Sequence, residues 1–178
     1  LGTSGAGAAL ANAVANARFR MTNDDNPTPT VSCSSDNFTI RPQAYTVTSS
    51  ATNTGTSGTP VFRAGTDAFS VTATAVYSST TTTGYTGTPK FDATLATGSP
   101  NAGTFTDATF AAASAGVSTG SSFKYSEVGN FSLQDNTAYD DTFAAVDSSS
   151  GDCTSGFSNT LAGGKYSCAV YPSAAAWA

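Results

Sequence analysis

Residues 67–77 read Asp-Ala-Phe-Ser-Val-Thr-Ala-Thr-Ala-Val-Tyr. Phe69, Val71, Ala73, Ala75 and Tyr77 fall on one side of a two-residue repeat, and Ser70, Thr72 and Thr74 fall on the other. Successive side chains of a strand point to opposite faces, so this alternation specifies a half-buried strand and excludes an amphipathic helix, whose apolar positions recur at three and four. A chain with such a strand needs partners for both of its edges and a cover for its apolar face. The rest of the sequence must supply them.

It supplies them in the same idiom. Ala15, Ala17, Phe19 and Met21 alternate with Asn16, Arg18 and Arg20. Phe38 and Ile40 precede Pro42, and Tyr45 and Val47 follow it, which suits an edge strand or one that changes sheets. KFDATLA, TFTDATFAAAS, GVSTGSSFKYSEV, GNFSL, TFAAVD and KYSCAVY read as further short strands, with Gly, Ser, Asn and Pro between them marking turns. Ser and Thr make up roughly 30% of the 178 residues, well above ordinary usage, and Thr and the aromatics favour pleated surfaces over helices. These patterns specify an all-β protein: an Ig-like β-sandwich over 34–135, with flanking strands from adjoining modules. Residues 1–33 read as a tail and a strand of a preceding module. Residues 136–178 read as a disulfide-containing C-terminal segment.

Charge narrows the partners. Seven basic residues stand against twelve acidic ones, a net charge of −5. A nucleic-acid ligand needs a concentrated cationic face to displace counterions, and an anionic lipid surface needs a polybasic patch; neither is present. No apolar run is long enough for a membrane-spanning helix, so no membrane insertion is expected. The N-terminal stretch lacks a basic start and a Leu-rich middle, so it makes a poor signal peptide, and the chain reads as a piece of a larger precursor.

Histidine is absent, which removes Ser-His-Asp and Cys-His catalysis and His-ligated zinc. Glu127 is the single glutamate, and none of the eleven Asp residues pairs with it recognisably, so a two-carboxylate glycosidase is not indicated. No catalytic residue and no cofactor is expected. Within FKYSEVGNFSL, Gly129 permits a bend, Val128 and Phe131 are expected to face the core, and Glu127 is expected to brace the corner through backbone N–H groups, Arg41 or Lys124. Asp24 and Asp25 with Asn26, and Asp135 with Asn136, Asp140 and Asp141, form two acidic clusters open to calcium. Neither has EF-hand spacing, and Asp and Asn make turns on their own account. No metal site is assigned.

Three cysteines remain. Few Lys and Glu, many Ser and Thr, and cysteines in turn-rich surroundings fit an oxidising, extracellular setting. A Cys153–Cys168 bridge would close a loop of about 15 residues and contribute about 3 kcal/mol. Two reduced buried thiols are the alternative, and Cys33 is left without a partner. Among the aromatics, Tyr85 and Tyr139 are candidates for stacking against a ligand.

CSSDNFTIRP (33–42), AGTDAFSVTATAV (64–76), FKYSEVGNFSL (123–133) and DDTFAAVDSSSGDC with GKYSC (140–168) occur in this order. Together they resemble the large extracellular region of the Q-type biogenesis proteins of the mannose-sensitive haemagglutinin pilus system, over residues 17–168. The resemblance implies a secreted, β-rich, multi-domain surface protein linked to type IV pili, located outside the cell or on the bacterial surface. It brings no catalytic residues. The expected function is a structural or adhesive module of a bacterial appendage whose partners are copies of itself or sister modules. The alternative is a carbohydrate-binding surface module with glycan partners.

Overall fold

The structure is a computed structural model that describes residues 13–23, 30–51, 62–134, 136–156 and 158–169. The elements in chain order are β1 (Val14–Ala17), β2 (Arg20–Asn23), β3 (Thr30–Cys33), β4 (Phe38–Ile40), β5 (Ala44–Ser49), β6 (Phe69–Tyr77) and β7 (Thr80–Thr81). There follow β8 (Lys90–Phe91), a 3-10 turn (Ala93–Leu95), β9 (Ala96–Ser99), β10 (Phe105–Thr106), β11 (Val117–Tyr125), β12 (Asn130–Leu133), β13 (Ala138–Tyr139) and a short helix α1 (Ala144–Ser150). The protein is all-β.

The alternating segment 69–77 is the middle of the molecule. β6 pairs antiparallel with β5 on one edge and β11 on the other, β10 extends the sheet beyond β11, and β7 folds back on the end of β6. Phe69, Val71, Ala73 and Ala75 are buried as the period predicts. The repeat fails at its last step: Val76 is buried and Tyr77 is 68% exposed. From Val76 onward the partner strand is β7 rather than β11, so the end of β6 stands clear of the core.

β11 carries a bulge. Gly120 faces Val71 and Phe123 faces Phe69, so three steps on β11 answer two on β6. The extra residue leaves Ser121 and Ser122 both exposed and resets the parity, which returns Phe123 and Tyr125 to the apolar face. On that face Phe69 packs against Phe62, Phe105, Phe123 and Phe131, and Phe123 against Phe91 and Phe110, with ring centroids 5.0–6.4 Å apart. Such pairs are each worth about 0.5–1.5 kcal/mol beyond the area they bury. The layer opposite the sheet is built from the two-stranded ribbons β8–β13 and β9–β12, which contribute Phe91, Ala138, Phe131 and Leu133 to the core. The outer face of the sheet is polar: Thr46 pairs with Thr74, and Thr48 and Thr119 both lie opposite Thr72.

Several expectations need correction. β1 pairs with β4 and β13 with β8, so strand pairings cross both expected boundaries, at residues 33 and 135. β2 and β3 pair only with each other among the described strands and are exposed along their length. Residues 144–150 are helical, because Ala144 and Ala145 favour a helix and Gly151, at φ +75°, ends it with its N–H on the Ser148 carbonyl. Phe19 and Met21 are 62% and 70% exposed; the Phe19 ring stacks on Phe38 at 4.8 Å and not in the main core.

The Glu127 corner is half as expected. Gly129 has φ +116°, and a side chain there would collide with the Ser99 carbonyl, so the bend does require glycine. Phe131 packs on the core, whereas Val128 is 72% exposed. Of the two expected cations, Lys124 pairs with Asp107 at 2.8 Å, and the Arg41 guanidinium donates to Ser158, Asn159 and Ser167.

Candidate functional site: a cleft between the sheet end and the disulfide segment

The exposed end of β6 forms one side of a cleft of about 470 Å3, lined by Thr39, Arg41, Gln43, Tyr77, Phe143, Asp147, Asp152, Cys153, Asn159 and the segment Gly164–Cys168. Its floor and sheet side come from β4, the β4–β5 junction and β6. Its other side is the C-terminal segment.

That segment has little core of its own and is held by closure. Cys153 and Cys168 form a disulfide, with Cα atoms 5.3 Å apart. Beside it, Thr154 N–H donates to the Tyr166 carbonyl at 2.9 Å, and Cys168 N–H donates to the Thr154 carbonyl at 3.1 Å. Arg41 ties the segment to the sheet. Its Nε–H donates to the Ser167 carbonyl (2.6 Å), Nη1 to the carbonyls of Pro42 (2.9 Å) and Gln43 (3.4 Å), and Nη2 to the Ser158 carbonyl (3.2 Å) and Asn159 Oδ1 (3.0 Å). All five guanidinium protons therefore have acceptors, the geometry in which Arg is most useful and Lys cannot substitute. Asn159 Nδ2 returns a bond to the Gln43 carbonyl at 2.8 Å. On the helix side, Asp147 Oδ2 accepts from Thr39 N–H at 2.9 Å.

Two tight turns set the aromatic groups. Ala162 and Lys165 exchange backbone hydrogen bonds around Gly163 (φ +58°) and Gly164 (φ +80°), a two-residue turn that glycine makes without strain. It delivers Lys165 and Tyr166 to the cleft, and Tyr166 is 55% exposed. The second turn joins β6 to β7 through Ser78 (φ +45°) and Ser79 (φ +68°), directly after Tyr77. Here two residues with side chains occupy left-handed backbone, at about 1–2 kcal/mol each. The Gln43 side chain helps to hold it, its Oε1 accepting from Ser78 N–H at 2.8 Å.

The tyrosines singled out from the sequence lie elsewhere. Tyr85 is 1% exposed. It donates to Asp140 Oδ2 at 2.7 Å and receives a bond from Tyr45 Oη at 2.7 Å, so it has no face to offer a ligand. Burial pushes the phenols of Tyr45 and Tyr85 well above the usual tyrosine range. Tyr139 is half-buried with Lys90 Nζ 5.9 Å from its ring centre, and it does not line the cleft. Asp140 is fully buried and bonded to Tyr85 and Thr142, and Asp141 pairs with Lys90 at 2.6 Å. Asp24, Asp25 and Asp135 lie outside the described residues, and among the described residues no group of three acidic or Cys side chains is placed to hold a metal. Cys33 is an exposed free thiol on β3. No described helix is long and apolar enough to cross a membrane.

The reading of residues missed Tyr77 and Tyr166. Tyr77 sits in phase with a buried stripe, and nothing local says that the sheet ends beneath it. Tyr166 had one available signal, the Gly-Gly turn two residues before it. Compared with protein-family models, curated proteins and solved structures, the chain matches none.

Proposed function

We propose that this chain is a non-enzymatic adhesive module of a bacterial extracellular appendage, assembled with copies of itself or sister modules, and that it holds a carbohydrate in the Tyr77–Tyr166 cleft. The observation that carries the reading is the pair of exposed tyrosines brought by separate segments to one braced cleft rich in amide and carboxylate groups. Tyrosine offers an apolar ring and a polar tip, which suits the apolar C–H face and hydroxyl rim of a pyranose. Gln43, Asn159, Asp147 and Asp152 add hydrogen-bonding groups of the kind that fix a small ligand's orientation. The left-handed backbone at Ser78 and Ser79, directly after Tyr77, supports it too, since such conformations gather at ligand-holding positions.

The absence of histidine from the sequence and the engagement of Arg41 and Lys124 with groups other than Glu127 favour binding over turnover. The disulfide favours an oxidising, extracellular location. The link to a type IV pilus rests on the four ordered motifs described above. The test is binding to a printed glycan array, with Tyr77→Ala and Tyr166→Ala as variants and circular dichroism as the control for folding. Binding by the parent chain that both variants lose is the expected result. A silent array, or binding that survives both variants, contradicts the proposal.

A further inference from the structure

The disulfide that fastens the cleft is also part of its wall. The inference drawn from this rests on the glycan reading above and concerns how the site is regulated. Cys153 and Cys168 both line the cleft, Cys153 half-buried and Cys168 buried. Each adjoins a cleft group: Asp152 precedes Cys153, and Tyr166 stands two residues before Cys168. The two ends are registered beside the bond, where Thr154 bridges in parallel to Ser167 and Cys168 N–H donates to the Thr154 carbonyl. The Ser158 and Ser167 carbonyls that Arg41 holds lie inside the loop that the bond closes, between cysteines 15 residues apart. Among the described residues of that loop only Ser167 and Cys168 are buried, so little packing keeps Tyr166 in place once the bond is opened.

We infer that the Cys153–Cys168 bond is a redox gate on the cleft: the oxidised chain holds a sugar between Tyr77 and Tyr166, and reduction by a dithiol releases it. The step is thiol–disulfide exchange. A thiolate of the dithiol attacks one sulfur of the pair, the S–S bond breaks and a mixed disulfide forms; the second thiol then displaces the cysteine. Cys153 and Cys168 together gain two electrons and two protons, and the dithiol becomes a cyclic disulfide. Opening the loop returns the chain entropy that closure removed, and Tyr166 and the Arg41 acceptors lose their fixed spacing from the sheet. The coupling runs both ways: the factor by which reduction weakens the affinity is the factor by which bound sugar favours the intact bond. Because the bond lies in the cleft wall, a bound sugar also stands between it and a thiolate entering through the cleft.

The experiment uses the full chain with Cys33→Ser, which leaves the pair as the one redox centre. Kd is measured for the oligosaccharide that gives the strongest array signal, with the chain oxidised, reduced by dithiothreitol, and reoxidised. Titration in dithiothreitol buffers, with and without saturating sugar, gives the midpoint potential of the pair. Reduction is expected to weaken binding about tenfold or more while the circular dichroism of the sheet is kept, and reoxidation is expected to restore it. The sugar is expected to lower the midpoint by about 30 mV for each tenfold of affinity that reduction removes. Equal affinity in the two forms, or a midpoint that the sugar does not move, overturns the gate and leaves the glycan reading standing. Loss of the sheet signal on reduction also overturns the gate, because the bond then supports the whole fold and not the cleft. No binding by the oxidised chain to any sugar on the array overturns both.

Discussion

The central sheet and the C-terminal segment are stabilised by different physics. β5, β6 and β11 bury a continuous apolar face in which Tyr45, Val71, Ala73 and Phe123 are fully enclosed. Among the described residues of 152–169 only a short stretch is buried, Ser167 to Ala169, and the segment is held by one disulfide, one guanidinium and a glycine turn. The first region is held by packing, so removing a ring leaves a void. The second is held by the fastening of its ends. The cleft lies where the two meet, so one side is set by packing and the other by closure. A binding surface can change its residues on the fastened side without disturbing the packed one.

The sharpest way to break this comparison is to damage each side in turn. Phe123→Ala removes a ring in contact with Phe69, Phe91 and Phe110 and is expected to cost about 3–5 kcal/mol in urea unfolding. Replacing Cys153 and Cys168 together by Ser releases a 15-residue separation and is expected to cost about 3 kcal/mol. That loss should be local: hydrogen exchange should speed up over 152–169 and stay slow in β5, β6 and β11. Uniform loss of protection after either change would mean that the two regions are one. Tyr85→Phe comes next, at about 1–3 kcal/mol, because it leaves Asp140 and the Tyr45 hydroxyl buried without their shared partner.

A gain is expected at the strained turn. Ser78→Asn with Ser79→Gly puts residues that accept left-handed backbone where it already exists, and should raise stability by about 1 kcal/mol by thermal unfolding. The smallest effect is electrostatic and lies outside both regions. Hydrogen bonds from the Arg63 guanidinium and backbone N–H hold the Asp67 carboxyl down at about 2, from an ordinary 3.8. Because the folded value is depressed, this contribution is present above the ordinary value and disappears as pH falls from about 4 to about 2. Both side chains are at the surface, so Asp67→Asn should change the slope of stability with pH in that window only slightly, and salt should weaken the effect.

Much of the sheet was legible in the sequence, for a physical reason. Period-two burial is a local property, and Phe69 to Ala75 and Tyr45 to Val47 carry it openly. Parity changes are not local. The bulge at Ser121–Ser122 shifts β11 by one residue, and only Gly120 hints at it. Helix α1 was hidden because Thr-Phe-Ala-Ala-Val-Asp is short enough to satisfy either period. The disulfide was readable from its loop, while the Arg41 clamp was not, since its acceptors lie as far as 126 residues away. The tyrosines failed for a related reason. Exposure of an aromatic depends on where the sheet ends and what lies above it, so Tyr85 was enclosed by Tyr45, Asp140 and Phe143 while Tyr77 was left in the open.

The most direct test of the account is an amide NMR titration of the disulfide-intact chain with the oligosaccharide that binds it best on the array. The account predicts shift changes centred on Gln43, Tyr77, Ser78, Asn159 and Tyr166, with the threonine face at Thr46, Thr48 and Thr119 unmoved. Changes centred on that threonine face, or no changes at saturating sugar, would contradict it.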